Sequence, residues 1–201
     1  MRDNGSQCKI TVDGTDFRIM EPSPFDPTWL SEKFNGPGVK YKVALCIQTG
    51  WIVHINGPYP CGQWHDLTVA RDDLCYKLAE SEYDDEMAVA DGGYSDGYNF
   101  FETPTGHNNP DQRMKAQARA RHETINRRFK QWGVLGQRFR GKPETHEKYF
   151  NAIANLTQFL IMTCGYEPDE DERQFFQIDY NDHGGYNVAT NPIPMAGDDS
   201  D

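Results

Sequence analysis

Met87-Ala88-Val89-Ala90 is an apolar run without polar alternation, and it stops at Asp91-Gly92-Gly93-Tyr94. A run this short, bounded by turn residues, suits a strand, and the missing alternation means that both of its faces are covered. Helices must then lie on both sides of a sheet, which places the chain in the α/β class. Nearer the amino end, Lys9 to Val12 alternates polar and apolar residues and meets Asp13-Gly14-Thr15, the pattern of a short strand running into a loop. Each strand is expected to end in an aspartate.

Between them, residues 21 to 38 carry four prolines and two glycines and read as a long excursion. Tyr41 to Thr49 and Trp51 to Ile55 then form two β-rich runs around Gly50, a hairpin pattern. Pro58 and Pro60 with Gly57 and Gly62 read as a loop. Asp66 precedes the helical spacing Leu67, Ala70, Leu74 and Leu78, where it is placed to cap the helix. Phe100 to Thr103 suits one more short strand. A long helix is expected from about Asp111, with Ile125, Phe129 and Trp132 on its buried stripe and Glu123 outside it. A last helix is expected over Thr145 to Thr163, with Tyr149, Ile153, Leu156 and Leu160 as core. The expected architecture is a mixed β-sheet, an antiparallel hairpin plus a parallel strand, flanked by helices.

The 201 residues suit one domain of roughly 150 to 170 ordered residues plus tails. From Glu167 onward the chain is acidic and rich in Asp, Asn and Gly, so residues 1–166 are expected to fold and 167–201 to form a mobile acidic tail. The five cysteines (8, 46, 61, 75 and 164) show no Cys-x-x-Cys pair and are expected to be mostly buried thiols. No stretch approaches about 18 apolar residues and the first 20 hold no apolar core, so a soluble intracellular protein is expected.

Charge is distributed unevenly. Residues 111–142 hold ten Lys or Arg against two acids, Asp111 and Glu123, a net of +8 that leaves −19 for the rest of a chain whose total is −11. A basic helix on an acidic body is a surface for a polyanion, and phosphate contacts need only such a local stripe. Arg127 stands four residues after Glu123, so an ordinary helix ion pair worth a few tenths of a kcal/mol is one reading of that lone acid. It does not explain why so many cations gather there without matching acids.

The order is a strand ending in Asp, a hairpin, a helix, a strand ending in Asp, a further strand and a helix bearing Glu. If the two Asp strands are parallel neighbours, their carboxyl ends coincide, where open α/β sheets place ligand sites. Asp13, Asp91 and Glu123 brought together would repel unless a cation held them, and hard oxygen donors select Mg²⁺ or Mn²⁺. Two such ions suit phosphodiester cleavage or strand transfer. Asp66 is the rival second acid, His65 reads as a loop or supporting residue beside it, and Asp16 reads as solvating the loop after Asp13 while within reach of a metal.

The segments Val12-Asp13-Gly14-Thr15, Pro60-Cys61-Gly62-Gln63-Trp64-His65-Asp66, Val89-Ala90-Asp91-Gly92-Gly93-Tyr94 and Arg121-His122-Glu123 resemble the DDE superfamily of transposases and endonucleases, closest to its Harbinger-like group. The resemblance covers about residues 9 to 163 and implies an RNase H-like catalytic domain. It implies that Asp13, Asp91 and Glu123 are the catalytic metal ligands, holding two Mg²⁺ or Mn²⁺ ions, and that DNA is the substrate in a nuclear setting. Related transposases carry a Tyr, Arg, Glu, Lys signature on the Glu helix. Arg119, Glu123 and Lys130 keep its last two intervals, while Ala116 stands in the place of the Tyr. Arg119 and Lys130 are thereby implied at the DNA phosphates, and Arg127 is expected to help neutralise the same backbone. Family members carry a DNA-binding helical region before the first catalytic strand, so target recognition is expected to be lacking or to come from a partner protein. A second expectation, from another class, is a domesticated or decayed relative that binds or scaffolds without catalysis.

Overall fold

A computed structural model of the chain describes residues 8–80, 86–94, 100–103 and 110–167, the side chains of 110–117 excepted. The expected acidic tail from 168 onward and Ala116, at the place of the signature Tyr, lie outside the described side chains.

The sheet is mixed and has six strands: β1 (Cys8–Arg18), β2 (Leu30–Ser31), β3 (Gly36–Cys46), β4 (Ile52–Pro60), β5 (Met87–Val89) and β6 (Phe101–Glu102). β3 pairs antiparallel with β1 and with β4, while β5 runs parallel to β1 and β6 parallel to β5. An antiparallel meander on one side, parallel strands on the other and helices on both faces give an architecture consistent with an RNase H-like fold.

β1 does not stop at Asp13, contrary to the expectation from Asp13-Gly14-Thr15. β3 supplies a continuous partner from Ile10↔Cys46 to Arg18↔Gly38, so the backbone groups of Asp13 to Arg18 are paired and no turn forms. The hairpin around Gly50 is present, but both arms are longer than their β-rich runs. β4 includes Pro58 and Pro60, which an edge strand tolerates, and its pairing with β3 is irregular between Lys40 and Lys42.

The helix expected after Asp66 is two short ones, α1 (Asp66–Asp72) and α2 (Leu74–Ala79), broken at Asp73. The long helix α3 spans Pro110–Lys130, followed by α4 (Gly133–Gly136) and α5 (Pro143–Cys164). Among the described residues no helix is long and apolar enough to cross a membrane. Cys8, Cys61 and Cys75 are buried as expected, whereas Cys46 is partly exposed and Cys164 exposed.

Side chains alternate across the sheet, and this divides two cores. Phe17, Val39, Tyr41, Val43 and Leu45 pack against Ile125 and Phe129 of α3 and Phe150, Ile153 and Ile161 of α5. On the other face Val12, Ala44, Ala88 and Ala90 pack against Ala70, Leu74 and Leu78 of α1 and α2 and against Tyr94. Ile125 and Phe129 are buried as the helical spacing predicts. Trp132 lies beyond the end of α3 and is 44% exposed, so the described part of the stripe continues backward to His122 and Ala118 instead.

On α5 the expected core stripe is rotated. Ile153 is buried, but Tyr149, Leu156 and Leu160 are exposed, and the face toward the sheet is His146, Phe150, Ile153, Ala154, Thr157 and Ile161. Both sets recur at helical spacing, and the aromatic floor of the sheet decides between them. Phe150 stacks on Tyr41 with centroids 3.9 Å apart, and His146 Nδ1 bonds the Tyr41 hydroxyl at 2.8 Å.

Candidate active site

β5 meets β1 in the parallel register Thr11↔Val89, reinforced by a hydrogen bond from Thr11 Oγ1 to the Val89 carbonyl at 3.1 Å. Counting two residues on in each segment reaches Asp13, still within β1, and Asp91, two residues past the last paired residue of β5. The parallel neighbours expected from the sequence are therefore present, although Asp13 lies within its strand and only Asp91 follows the end of one.

Alternation also fixes the face. Asp13 is paired with Val43, which belongs to the core under α3 and α5. Val89, two residues before Asp91, packs with Ala118 of α3. Helix α3 thus covers the face from which Asp13 projects. His122 is buried and hydrogen-bonds the Thr11 backbone, tying α3 to β1 one residue before Glu123. Glu123 itself is exposed, as are Arg119, Arg127 and Lys130, which recur along the same side of the helix at spacings of four, four and three.

Asp13 is partly buried, with Oδ1 accepting from the Gly14 amide at 2.7 Å. Burial pushes its carboxyl above the ordinary range, opposed by that amide and by the Lys42 and Lys33 charges. Asp91 Oδ1 accepts from the Gly93 amide at 2.9 Å, and its carbonyl accepts from the Tyr94 amide at 3.1 Å, so the residue is held in a short 3-10 turn, Gly92–Tyr94. Among the described residues no three His, Cys, Asp or Glu side chains stand together closely enough to hold a metal ion. The oxygen donors of Asp13 and Asp91 are of the kind that suits a hard divalent cation, but Glu123 does not close a set with them.

Asp66 is not a helix cap. His65 occupies the N-cap position of α1 without a side-chain bond, and stands exposed. Asp66 Oδ1 instead accepts from Lys42 Nζ at 3.0 Å and lies 3.3 Å from Lys40 Nζ, because two cations draw the carboxylate inward over the sheet. Those two lysines outweigh the effect of burial and hold the Asp66 carboxyl below its ordinary value. Lys42 alternates with Val43, so this cluster lies on the α1 face, opposite the face that Asp13 shares with α3. Asp16 is not a loop residue either. It is buried within β1, and its Oδ2 accepts from Ser31 Oγ at 3.1 Å, while Oδ1 has no hydrogen-bond partner.

A profile of the family described as DDE superfamily endonuclease matches residues 12–158, which is most of the chain. The chain belongs to the DDE superfamily endonucleases. A search of curated proteins and one of solved structures each found no match. The match to this endonuclease family spans both aspartates, Glu123 and the exposed basic residues of α3. Sequence reasoning missed Lys42 and Tyr94, both fully buried beside the family's candidate site. A lysine inside an otherwise apolar strand run, Val39 to Leu45, was the available signal for Lys42.

Proposed function

We propose that residues 1–166 form the catalytic domain of a divalent-metal-dependent DNA endonuclease or transposase of the Harbinger-like group, with 167–201 as its tail. The observation that carries this reading is the parallel register Thr11↔Val89, two residues before Asp13 and Asp91, beside the helix that bears Glu123. Family membership supplies the reaction class, phosphodiester cleavage or transfer, and implies DNA as substrate.

In this reading Asp13 and Asp91 hold Mg²⁺ or Mn²⁺ and Glu123 completes the donor set from α3. Bound divalent ions supply an activated water and stabilisation of the leaving oxygen. The chain's own task is placement. Asp13 is fixed in a paired strand, Asp91 by a turn of local hydrogen bonds, and Glu123 is presented outward beside Arg119, Arg127 and Lys130, which bind the flanking phosphates. The setting in this reading is nuclear.

Nicking of supercoiled plasmid in Mg²⁺ or Mn²⁺ tests the assignment. Asp91→Asn and Glu123→Gln are each expected to lose nicking by a factor of at least about 10² while keeping the wild-type melting temperature. Equal nicking by either variant would sink its place in the site.

One observation favours a second reading, a family-derived binding or scaffold protein without catalysis: the three carboxylates do not converge. Millimolar Mn²⁺ separates the two, because a cation that binds the native state raises the melting temperature by mass action. Unchanged melting in Mn²⁺, together with retained DNA binding, favours the scaffold.

A further inference from the structure

Beneath the two aspartates, on the opposite face of the sheet, runs a buried polar contact for which the chemistry above has no use. Lys42 is fully buried in β3 and stands directly opposite Gly14 of β1. Its ammonium reaches across β1, donating to Asp66 Oδ1 at 3.0 Å and to the Tyr94 hydroxyl, and lies 4.4 Å from the centre of the Tyr94 ring. Gly14 makes the crossing possible. A Cβ there would overlap Asp66 Oδ1 and lie 3.4 Å from Lys42 Nζ.

Tyr94 is the last residue of the turn that begins after Asp91. β5 is only three residues long, and the turn's own hydrogen bonds set its shape without setting its position relative to β1. The Tyr94 ring lies in the second core, 5.2 Å from Phe101, and beyond Val89, where the pairing with β1 ends, it is the Tyr94 hydroxyl, bonded to a side chain of β3, that anchors the turn. Burial, reinforced by the charges of Asp66, Asp13, Asp91 and Asp16, keeps that hydroxyl protonated far above its ordinary range, so a neutral oxygen meets the ammonium. A buried lysine without partners would be costly, and Asp66 supplies the compensating charge.

We propose that Lys42 and Tyr94 are positioning residues: their contact, passing beneath Gly14, locks the Asp91 turn at the level of Asp13 so that both carboxylates are offered to one divalent cation. This rests on the metal-binding reading of the site. Residues supporting metal ligands commonly change metal affinity by roughly tenfold to a hundredfold when altered.

The full chain is titrated with Mn²⁺ while the free ion is followed by electron paramagnetic resonance, and amide hydrogen exchange is measured at Gly93 and Tyr94 without metal. Tyr94→Phe keeps the ring and deletes the hydroxyl. It is expected to bind Mn²⁺ about tenfold more weakly and to exchange faster at both amides, with its melting temperature near that of wild type. Phe101→Leu loosens the same core without touching the contact and is expected to keep wild-type Mn²⁺ affinity. Should Tyr94→Phe fail to fold, Lys42→Arg is read by the same two measurements and is expected to weaken Mn²⁺ binding. Wild-type affinity and exchange in Tyr94→Phe, or an equal loss in Phe101→Leu, overturns the positioning role alone. Wild-type protein that binds no Mn²⁺ overturns the metal reading and the positioning role with it.

Discussion

Asp66 accepts a hydrogen bond from the Lys42 ammonium at 3.0 Å on the face of the sheet away from α3, so the acid that rivalled Asp91 is already engaged as a counter-ion. The space it occupies is borrowed from Gly14. Gly14→Ala must push the carboxylate aside and disturb the ion pair, which is expected to cost about 1 to 3 kcal/mol. Urea denaturation measures it. A variant as stable as wild type would show that the carboxylate moves freely.

Asp13 is expected to be a stability liability at neutral pH. Burial raises its folded-state pKa above the unfolded value, so the folded form favours the protonated acid, and ionised Asp13 opposes folding once the pH exceeds that raised value. Without metal at pH 7.5, Asp13→Asn is expected to melt a few degrees higher than wild type, about the response to 1 kcal/mol in a chain of this size. The advantage shrinks as pH falls toward 3.8. Mn²⁺ should raise the wild-type melting temperature and leave the variant unchanged. Scanning calorimetry with and without Mn²⁺ reads both effects.

The exposed cations of α3 are expected to act on DNA without regard to sequence. Arg119→Ala and Lys130→Ala should each weaken duplex binding and lower the slope of log affinity against log salt by roughly 1, the signature of one lost phosphate contact. Fluorescence anisotropy across a salt series measures the slope. An unchanged slope in both variants would remove this face from the DNA interface.

His122 links stability to acid. Burial pushes its imidazole down to about 3, against a hydrogen bond to the Thr11 backbone and with Lys42 and Arg119 as the charges nearby. The unfolded chain therefore takes up a proton that the folded chain refuses. Its contribution to stability is full above the unfolded value near 6.5 and is lost as pH falls toward 3, at roughly 1.4 kcal/mol per pH unit. His146, pushed down to about 4 by burial, adds in the same direction. His122→Gln is expected to flatten the stability profile between pH 6.5 and 4.5, as seen by urea denaturation at each pH.

Much of the sheet was legible because the relevant signals are local. The unalternating Met87–Ala90 run, the β-rich arms around Gly50 and the apolar spacing of Ile125 and Phe129 each belong to one segment, and each lies where its pattern predicts. The misreadings arose where a pattern had two solutions. Asp13-Gly14-Thr15 has the composition of a turn, yet β3 offers partners to both sides of it, and the pairing prevails. Helix α5 carries two apolar stripes, and only the position of Tyr41 and Phe17 beneath it selects the Phe150 stripe.

The sequence by itself determined the class of the fold, the order of its elements and the family, because periodicity, punctuation and motif spacing are written along one strand of chain at a time. Tertiary structure decided where each acid lies. The parallel register aligns Thr11 with Val89 just before the two aspartates, Lys42 draws Asp66 onto the other face, and the Asp66 carboxylate fills the gap left by Gly14. These are relations between segments up to 80 residues apart, fixed by strand pairing and by the cost of burying charge without a partner.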